Sequence, residues 1–362
     1  MARAPVLLVA GARPNFMKVW ALYRACTRHG GLAPRVLHTG QHASAEMSGR
    51  ILADLGLPAP DFALAAGQAP AAIMASRLFL GIAGCLDRFA PGLVVVVGDV
   101  TSTAAAAMAA LERAVPVAHV EAGLRSFDRA MPEEVNRVLA DRASALLFTT
   151  EEAGARNLLA EGIADGRVVF AGNVMADTLR HFLPKTALGT AARLGLAANR
   201  YALLTVHRAA NVDHPGALRE IFRGVEAIAK RLPVIFPIHP RTRARIAGMK
   251  IAVPAGAAIC PPLGYLAFVD LLRHAAVAVT DSGGVQQESA LLGVPCVTLR
   301  DRTEVPVTVE IGANRLAGTD AGKIAHLVWE AREGPRGGWT LPPRWDGRAA
   351  ERIAQRIGAY LA

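Results

Sequence analysis

Short runs of Val, Ile and Leu, nearly unbroken by polar residues and separated by segments of helical period, constrain this chain more than any other feature. They are PVLLVAG (5–11), PRVLHTG (34–40), LVVVVGD (93–99), PVAHVEAG (116–123), ALLFTT (145–150) and RVVFAGN (167–173). Strands apolar on both sides belong to parallel sheets covered by helices on both faces. After a looser stretch around 183–200, which contains Pro184 and Gly189, the pattern restarts with YALLTVHR (201–208), LPVIFPIHP (232–240), AAIC (257–260), AVAVTDSGG (276–284) and PCVTLRD (295–301). The expectation is an α/β chain of two doubly wound domains, residues 1–185 and 186–346. The terminal segment 347–362 has an amphipathic helical period and is expected to pack back on the first domain. A length of 362 residues is enough for two cores.

Composition narrows the ligand. Forty Lys plus Arg against thirty Asp plus Glu give a net charge of +10, which suits an anionic ligand such as a phosphate ester. The cations are spread along the chain, so a compositional bias explains them equally well. Aromatics make up 5% of the chain and interleave with no basic run, which argues against nucleic acid. Cys26, Cys85, Cys260 and Cys296 form no CxxC pair and have no zinc-type His spacing; buried, reduced thiols and no metal are expected. The first apolar run passes into a Gly-rich turn instead of a cleavage site, and none reaches the ~18 residues of a membrane span. A cytoplasmic protein with no membrane partner is the expectation.

In open α/β sheets, ligands collect at the carboxyl ends of strands. Arg13, Asp99, Glu121, His207, His239 and Asp281 with Ser282 all follow a predicted strand. GARPNFMK (11–18) is not the GxGxxG of a dinucleotide site, so no nicotinamide-type cofactor is indicated; Arg13 and Lys18, about a helical turn apart, either grip a diphosphate or are solvated helix-end cations. In TDSGGVQQES (280–289), Ser282, Gly283 and Gly284 open a helix whose amino end can hold a phosphate, or Ser282 is simply its N-cap. Glu288, one to two turns further on, either bridges ribose hydroxyls or is solvated. His207 and His239 hold equivalent strand-end positions, where a lone histidine is more often structural. In HVEAGLRSFDRAMPEEVNR (119–137), Pro132 with Glu133 and Glu134 reads as a helix start complementing the dipole. That reading leaves Glu121 and Asp99 unexplained, and clustered acids suit proton transfer.

Together these segments resemble the non-hydrolysing UDP-N-acetylglucosamine 2-epimerases of bacteria. The likeness runs from about residue 7 to residue 318, through GARPNFMK, TGQH, VVGDVTST, HVEAGLRSFDRAMPEEVNR, FAGNVMADTL, TVHRAANVD, PIHPRTR, PLGY, TDSGGVQQES, GVPCVTLRDRTE and GANRLAG. The resemblance implies two Rossmann-like domains of the glycosyltransferase-B type with UDP-sugar in the interdomain cleft, no cofactor, and a homodimer. It implies catalytic roles for Asp99, Glu121, Glu133 and His207. It implies substrate or UDP contacts for Arg13, Lys18, Arg137, His239, Ser282, Gly283, Gly284, Glu288 and Arg315. Gln41, His42 and Glu134 match positions of a second, activating UDP-GlcNAc site in some members. The implied reaction is reversible C2 epimerisation of UDP-GlcNAc to UDP-ManNAc, by elimination of UDP to a 2-acetamidoglucal and re-addition.

Several positions depart from the commoner pattern. Gln287 stands where glutamate is frequent, Val305 where arginine is usual, and Val307 where some members have glutamate. GQAP (67–70) and HRAAN (207–211) lack arginine or polar groups often found at the activating site. The rival readings are a hydrolysing epimerase releasing ManNAc, a 2-epimerase of a modified UDP-HexNAc, a true glycosyltransferase, and a silent UDP-sugar binder.

Overall fold

The computed structural model describes residues 3–11, 13–41, 54–67, 69–186 and 189–362, with the backbone alone at 13 and 14. Its contacts divide into two units: Met1–His181 with Pro343–Ala362, and Phe182–Pro342.

Among the described residues of the first unit, seven parallel strands lie in the order β3-β2-β1-β4-β5-β6-β7. They are β1 (Ala4–Ala10), β2 (Leu32–His38), β3 (Phe62–Ala63), β4 (Leu93–Val97), β5 (Val117–Val120), β6 (Leu146–Thr149) and β7 (Val168–Phe170). The order reverses between β1 and β4, the switch point at which doubly wound sheets bind ligands. Val94, Val95 and Val96 of β4 are fully buried, each contributing about 1.5 kcal/mol or more. Leu7, Val9, Val94 and Val96 face the helices Ala71–Phe89 and Thr101–Glu112. The alanine run Ala104–Ala107 lets the latter helix approach closely.

The terminal helix Ala349–Leu361 packs on the helix Arg13–Arg28. It has no cap of its own. Asp177, on the helix Val174–Phe182, accepts from the amides of Ala349 and Ala350 at 3.1 and 2.9 Å. Trp345, buried just before it, donates from Nε1 to Thr150 O at 3.1 Å.

The second unit repeats the plan with six parallel strands in the order β10-β9-β8-β11-β12-β13. They are β8 (Ala202–Thr205), β9 (Val234–Pro237), β10 (Ala257–Cys260), β11 (Val277–Thr280), β12 (Cys296–Thr298) and β13 (Asn314–Leu316). Alternate strand residues feed opposite faces, Leu204, Val279 and Val297 on one side and Leu203, Ala278 and Cys296 on the other. The switch point falls between β8 and β11.

The edge strands β3 and β13 were not expected from the sequence. Two and three residues long, with the sequences FA and NRL, they offer no apolar run to read. All four cysteines are buried and free. No described helix is long and apolar enough to cross a membrane, and no described group of His, Cys, Asp and Glu could hold a metal ion.

Candidate active site

In the first unit, β4 and β5 deliver two carboxylates from adjacent strand ends. Asp99, two residues past β4, pairs through Oδ2 with Arg137 Nη2, and its carbonyl accepts from Asn136 Nδ2 at 2.9 Å. Glu121, the residue after β5, is 4% exposed and pairs through Oε2 with Lys18 Nζ. Its Oε1 is buried and has no hydrogen-bond partner among the described residues, an expensive arrangement for a carboxylate. Glu121 also has φ +69°, a left-handed conformation uncommon outside glycine and concentrated at functional sites. Gly98 makes room for it: a Cβ there would stand 3.3 Å from Glu121 Oε2.

Glu133 and Glu134 open the helix Pro132–Ala143, with Pro132 in its first turn, but they have separate environments. Glu133 is half-exposed. Glu134 is 2% exposed; its Oε2 accepts from Ser126 N, Ser126 Oγ and Arg137 Nη1 at 2.9, 3.0 and 2.7 Å, and its Oε1 from Phe127 N at 3.1 Å. The geometry makes Glu134 the organiser of the preceding loop. Arg137, buried between Glu134 and Asp99, is a strut behind the acids. Asp128 lies in the loop, accepting from Ala130 N at 3.0 Å.

Lys18 projects from the helix Arg13–Arg28 to Glu121; the side chain of Arg13 lies outside the description, as does His42. Gln41 is buried and accepts through Oε1 from Ser102 N, at the start of the helix Thr101–Glu112, at 2.9 Å. One donor at that helix end is thereby already satisfied.

In the second unit, the switch point is occupied by Asp281 and His207. The fully buried Asp281 carboxylate accepts from His207 N at 3.0 and 3.1 Å, Arg208 N at 2.8 Å and Asn211 Nδ2 at 3.1 Å, and meets His207 Nδ1 at 3.1 Å. Burial alone would raise the pKa of Asp281, but His207 and the two amides outweigh it and hold the carboxyl below its usual range. With Nδ1 engaged and its side chain 39% exposed, the His207 ring presents its other edge outward. His239 lies 6.0 Å away, ring to ring. Its Nδ1 accepts from Arg241 N at 3.2 Å, which caps the helix Pro240–Met249 and leaves the ring proton on Nε2.

The helix Gly283–Leu292 follows β11. Ser282 sits at its N-cap but makes no capping hydrogen bond through its side chain. Beside this helix start, Glu304 accepts from Arg208 Nη2 at 2.9 Å and Arg300 Nη1 at 2.6 Å. A Cβ on Gly283 would lie 2.9 Å from Glu304 Oε1, so glycine is needed for the close approach. Two guanidiniums around one carboxylate leave net positive charge beside the helix dipole's positive end, a place suited to diphosphate. Glu288 is 5% exposed, within that helix. Burial, with the Glu288 charge, pushes the Tyr265 phenol well above its usual pKa.

Arg315 does not join this group. It lies mid-strand in β13, with Nε 3.1 Å from Glu330 Oε1. Glu330 is near the end of the helix Ala321–Glu333, which starts at the carboxyl edge of the sheet and runs back toward the amino edge. The neighbours of Arg315 there are Pro295, Gly334 and Trp339. Val305 is buried, its amide bonded to Thr303 Oγ1 at 3.1 Å.

Sequence reasoning assigned no role to Arg208 beside His207, and did not single out Arg300 and Glu304, or His119 and Asp141 in the first unit. A signal existed for His119, the single polar residue inside an otherwise apolar strand.

The sequence model of one family, described as UDP-N-acetylglucosamine 2-epimerase, matches residues 24–358. The chain is 38% identical to the UDP-N-acetylglucosamine 2-epimerase of Methanocaldococcus jannaschii over 98% of each chain. It is 39% identical to the UDP-2,3-diacetamido-2,3-dideoxy-D-glucuronate 2-epimerase of Pseudomonas aeruginosa over 99% of each. A crystal structure of the M. jannaschii enzyme in complex with UDP-GlcNAc and UDP superposes with a TM-score of 0.92 at 37% identity, covering 98% of this chain and 99% of that one. The fold is that of the glycosyltransferase-B type, two Rossmann-like α/β domains.

Proposed function

The chain belongs to the UDP-N-acetylglucosamine 2-epimerase family, and from that premise we propose that it interconverts UDP-GlcNAc and UDP-ManNAc as a non-hydrolysing isomerase. The observation that carries the reading is the pair of carboxylates, Asp99 and Glu121, set at adjacent strand ends against Arg137 and Lys18.

C2 of the sugar has no neighbouring carbonyl, so removing its proton alone faces a very high barrier. Loss of UDP from C1 solves the problem. The C2–H electron pair becomes the C1–C2 double bond as the C1–O bond breaks, yielding 2-acetamidoglucal and UDP. Re-addition of UDP to C1, with protonation of C2 from the other face, completes epimerisation. Asp99, Glu121 and Glu133 handle the sugar, where carboxylates move protons and stabilise positive character at C1. His207 backed by Asp281, the helix start at 282–284, and the Arg208–Glu304–Arg300 group handle the departing diphosphate. Glu288 takes the ribose, and Arg13 assists from the first unit.

Exposed Ile73, Leu80, Met108, Leu111, Val135 and Leu139, on the helix Thr101–Glu112 and the two helices packed on either side of it, support a homodimer. Four free thiols support the cytoplasm, where the product would feed polysaccharide biosynthesis. The test is incubation with UDP-GlcNAc in D2O, without acceptor, followed by NMR. UDP-ManNAc with deuterium at C2 is expected. Free ManNAc would mean a hydrolase, and unchanged substrate a transferase or binder. Turnover of a 2,3-diacetamido sugar nucleotide alone would move the substrate toward that of the P. aeruginosa relative.

A further inference from the structure

His119 lies within β5, completely buried. Both of its ring nitrogens face oxygen acceptors: Nδ1 lies 2.7 Å from Asp141 Oδ1 and Nε2 lies 2.8 Å from Gly98 O. The ring therefore serves as a donor on both sides. Behind it, Asp141 Oδ2 takes Arg125 Nη2 at 2.7 Å and Gly123 N at 3.2 Å, and Arg125 is held by Glu161 at 2.7 and 2.8 Å. Burial would raise the pKa of Asp141, but the His119 and Arg125 contacts overcome it and keep the carboxyl below its usual range.

This network costs desolvation that an apolar strand residue would avoid. Its contacts show what it holds. Gly98, at φ +71°, donates to Val120 O at 3.0 Å, and its carbonyl is fixed by His119. That peptide leads directly into Asp99. Asp141 meanwhile binds the chain two residues before Glu121, through His119, and two residues after it, through Gly123. We propose that His119, anchored by Asp141, is a positioning residue that sets the Gly98–Asp99 peptide and brackets Glu121 in its left-handed conformation. The inference rests on assigning Asp99 and Glu121 to the sugar chemistry.

Two substitutions separate the two donors. H119Q keeps a nitrogen at the reach of Nε2 and can still donate to Gly98 O. H119N keeps one at the reach of Nδ1 and abandons Gly98. Using the full-length enzyme and UDP-GlcNAc, H119N is expected to lose about ten- to a hundredfold in kcat through misplacement of the acids, with KM little changed. H119Q should recover to within a few-fold of wild type. UDP titration and melting temperature report whether each variant is folded; if H119N is not, H119F, which fills the place of the ring and donates to neither Gly98 O nor Asp141, replaces it with the same expectation. Wild-type turnover by the replacing variant overturns the proposal, and so does equal loss in H119N and H119Q. A wild-type enzyme inert toward UDP-GlcNAc, or D99N with normal turnover, strikes the assignment of the acids instead.

Discussion

His207 and Asp281 meet across the strand-order reversal of the second sheet, Nδ1 to Oδ1 at 3.1 Å, with the carboxylate entirely buried. The pair fixes the ring so that one edge is engaged and the other faces outward. H207A is therefore expected to lower kcat at least about a hundredfold, the usual scale for a positioned proton-transfer group. Steady-state kinetics decide it: turnover within a few-fold of wild type would remove His207 from the leaving-group end.

Lys18 and Glu121 form a buried ion pair. K18M strands a buried carboxylate and should destabilise the first unit by roughly 3–5 kcal/mol, whereas K18M/E121Q should regain much of that. Neither variant should turn over. Denaturant unfolding measures the first effect and the D2O assay the second.

Gly283 admits no side chain without moving Glu304, which two arginines hold. G283A is expected to weaken UDP about tenfold, or ~1.4 kcal/mol. Calorimetric titration with UDP checks this, and unchanged affinity would remove the helix start from the diphosphate site.

Asp177 and Asp281 titrate in opposite senses. Burial pushes the Asp177 carboxyl up to about 6, with the Ala350 and Ala349 amides opposing and Asp346 adding to the rise. A free carboxyl titrates near ~4, so between these values the folded chain binds the extra proton, and its stability increases as pH falls through that window. Ionised Asp177 at neutral pH is thus a burden. D177N keeps one of the two acceptors and removes this titration, so its melting temperature is expected to fall relative to wild type as pH is lowered from about 7.5 to about 4. Asp281, held below its usual range, contributes stability that is complete above about pH 4 and lost as pH falls further. A difference between D177N and wild type that stays constant over that pH range would contradict this account.

R315A should retain wild-type kcat/KM, because its partner is Glu330, and should cost at most about 1 kcal/mol as a partly exposed pair. A large loss of activity would return Arg315 to the substrate.

The fold class was legible because buried parallel strands such as LVVVV cannot hide their composition, and the polar residues ending them announce the ligand edge. The edge strands β3 and β13 were illegible because FA and NRL carry no apolar run. Local sequence could not divide Glu133 from Glu134, since both suit a helix start; their difference lies in the loop that Glu134 satisfies. Nor could it show Arg315 turning toward Glu330, since a strand residue's destination depends on the helix packed beside it. Ser282 carried two readings, cap or ligand turn; it holds the N-cap position of its helix, without a capping bond from its side chain.

The central claim is that the C1–O bond breaks and re-forms while the acids of the first unit move the C2 proton. Its most direct test uses UDP-GlcNAc carrying 18O in the bridge between C1 and phosphorus, followed by 31P NMR. Elimination frees that oxygen on UDP, where it becomes equivalent to its neighbours before re-addition, so the label should spread into the non-bridging β-phosphate positions. Epimerisation with the label remaining wholly in the bridge would contradict the account.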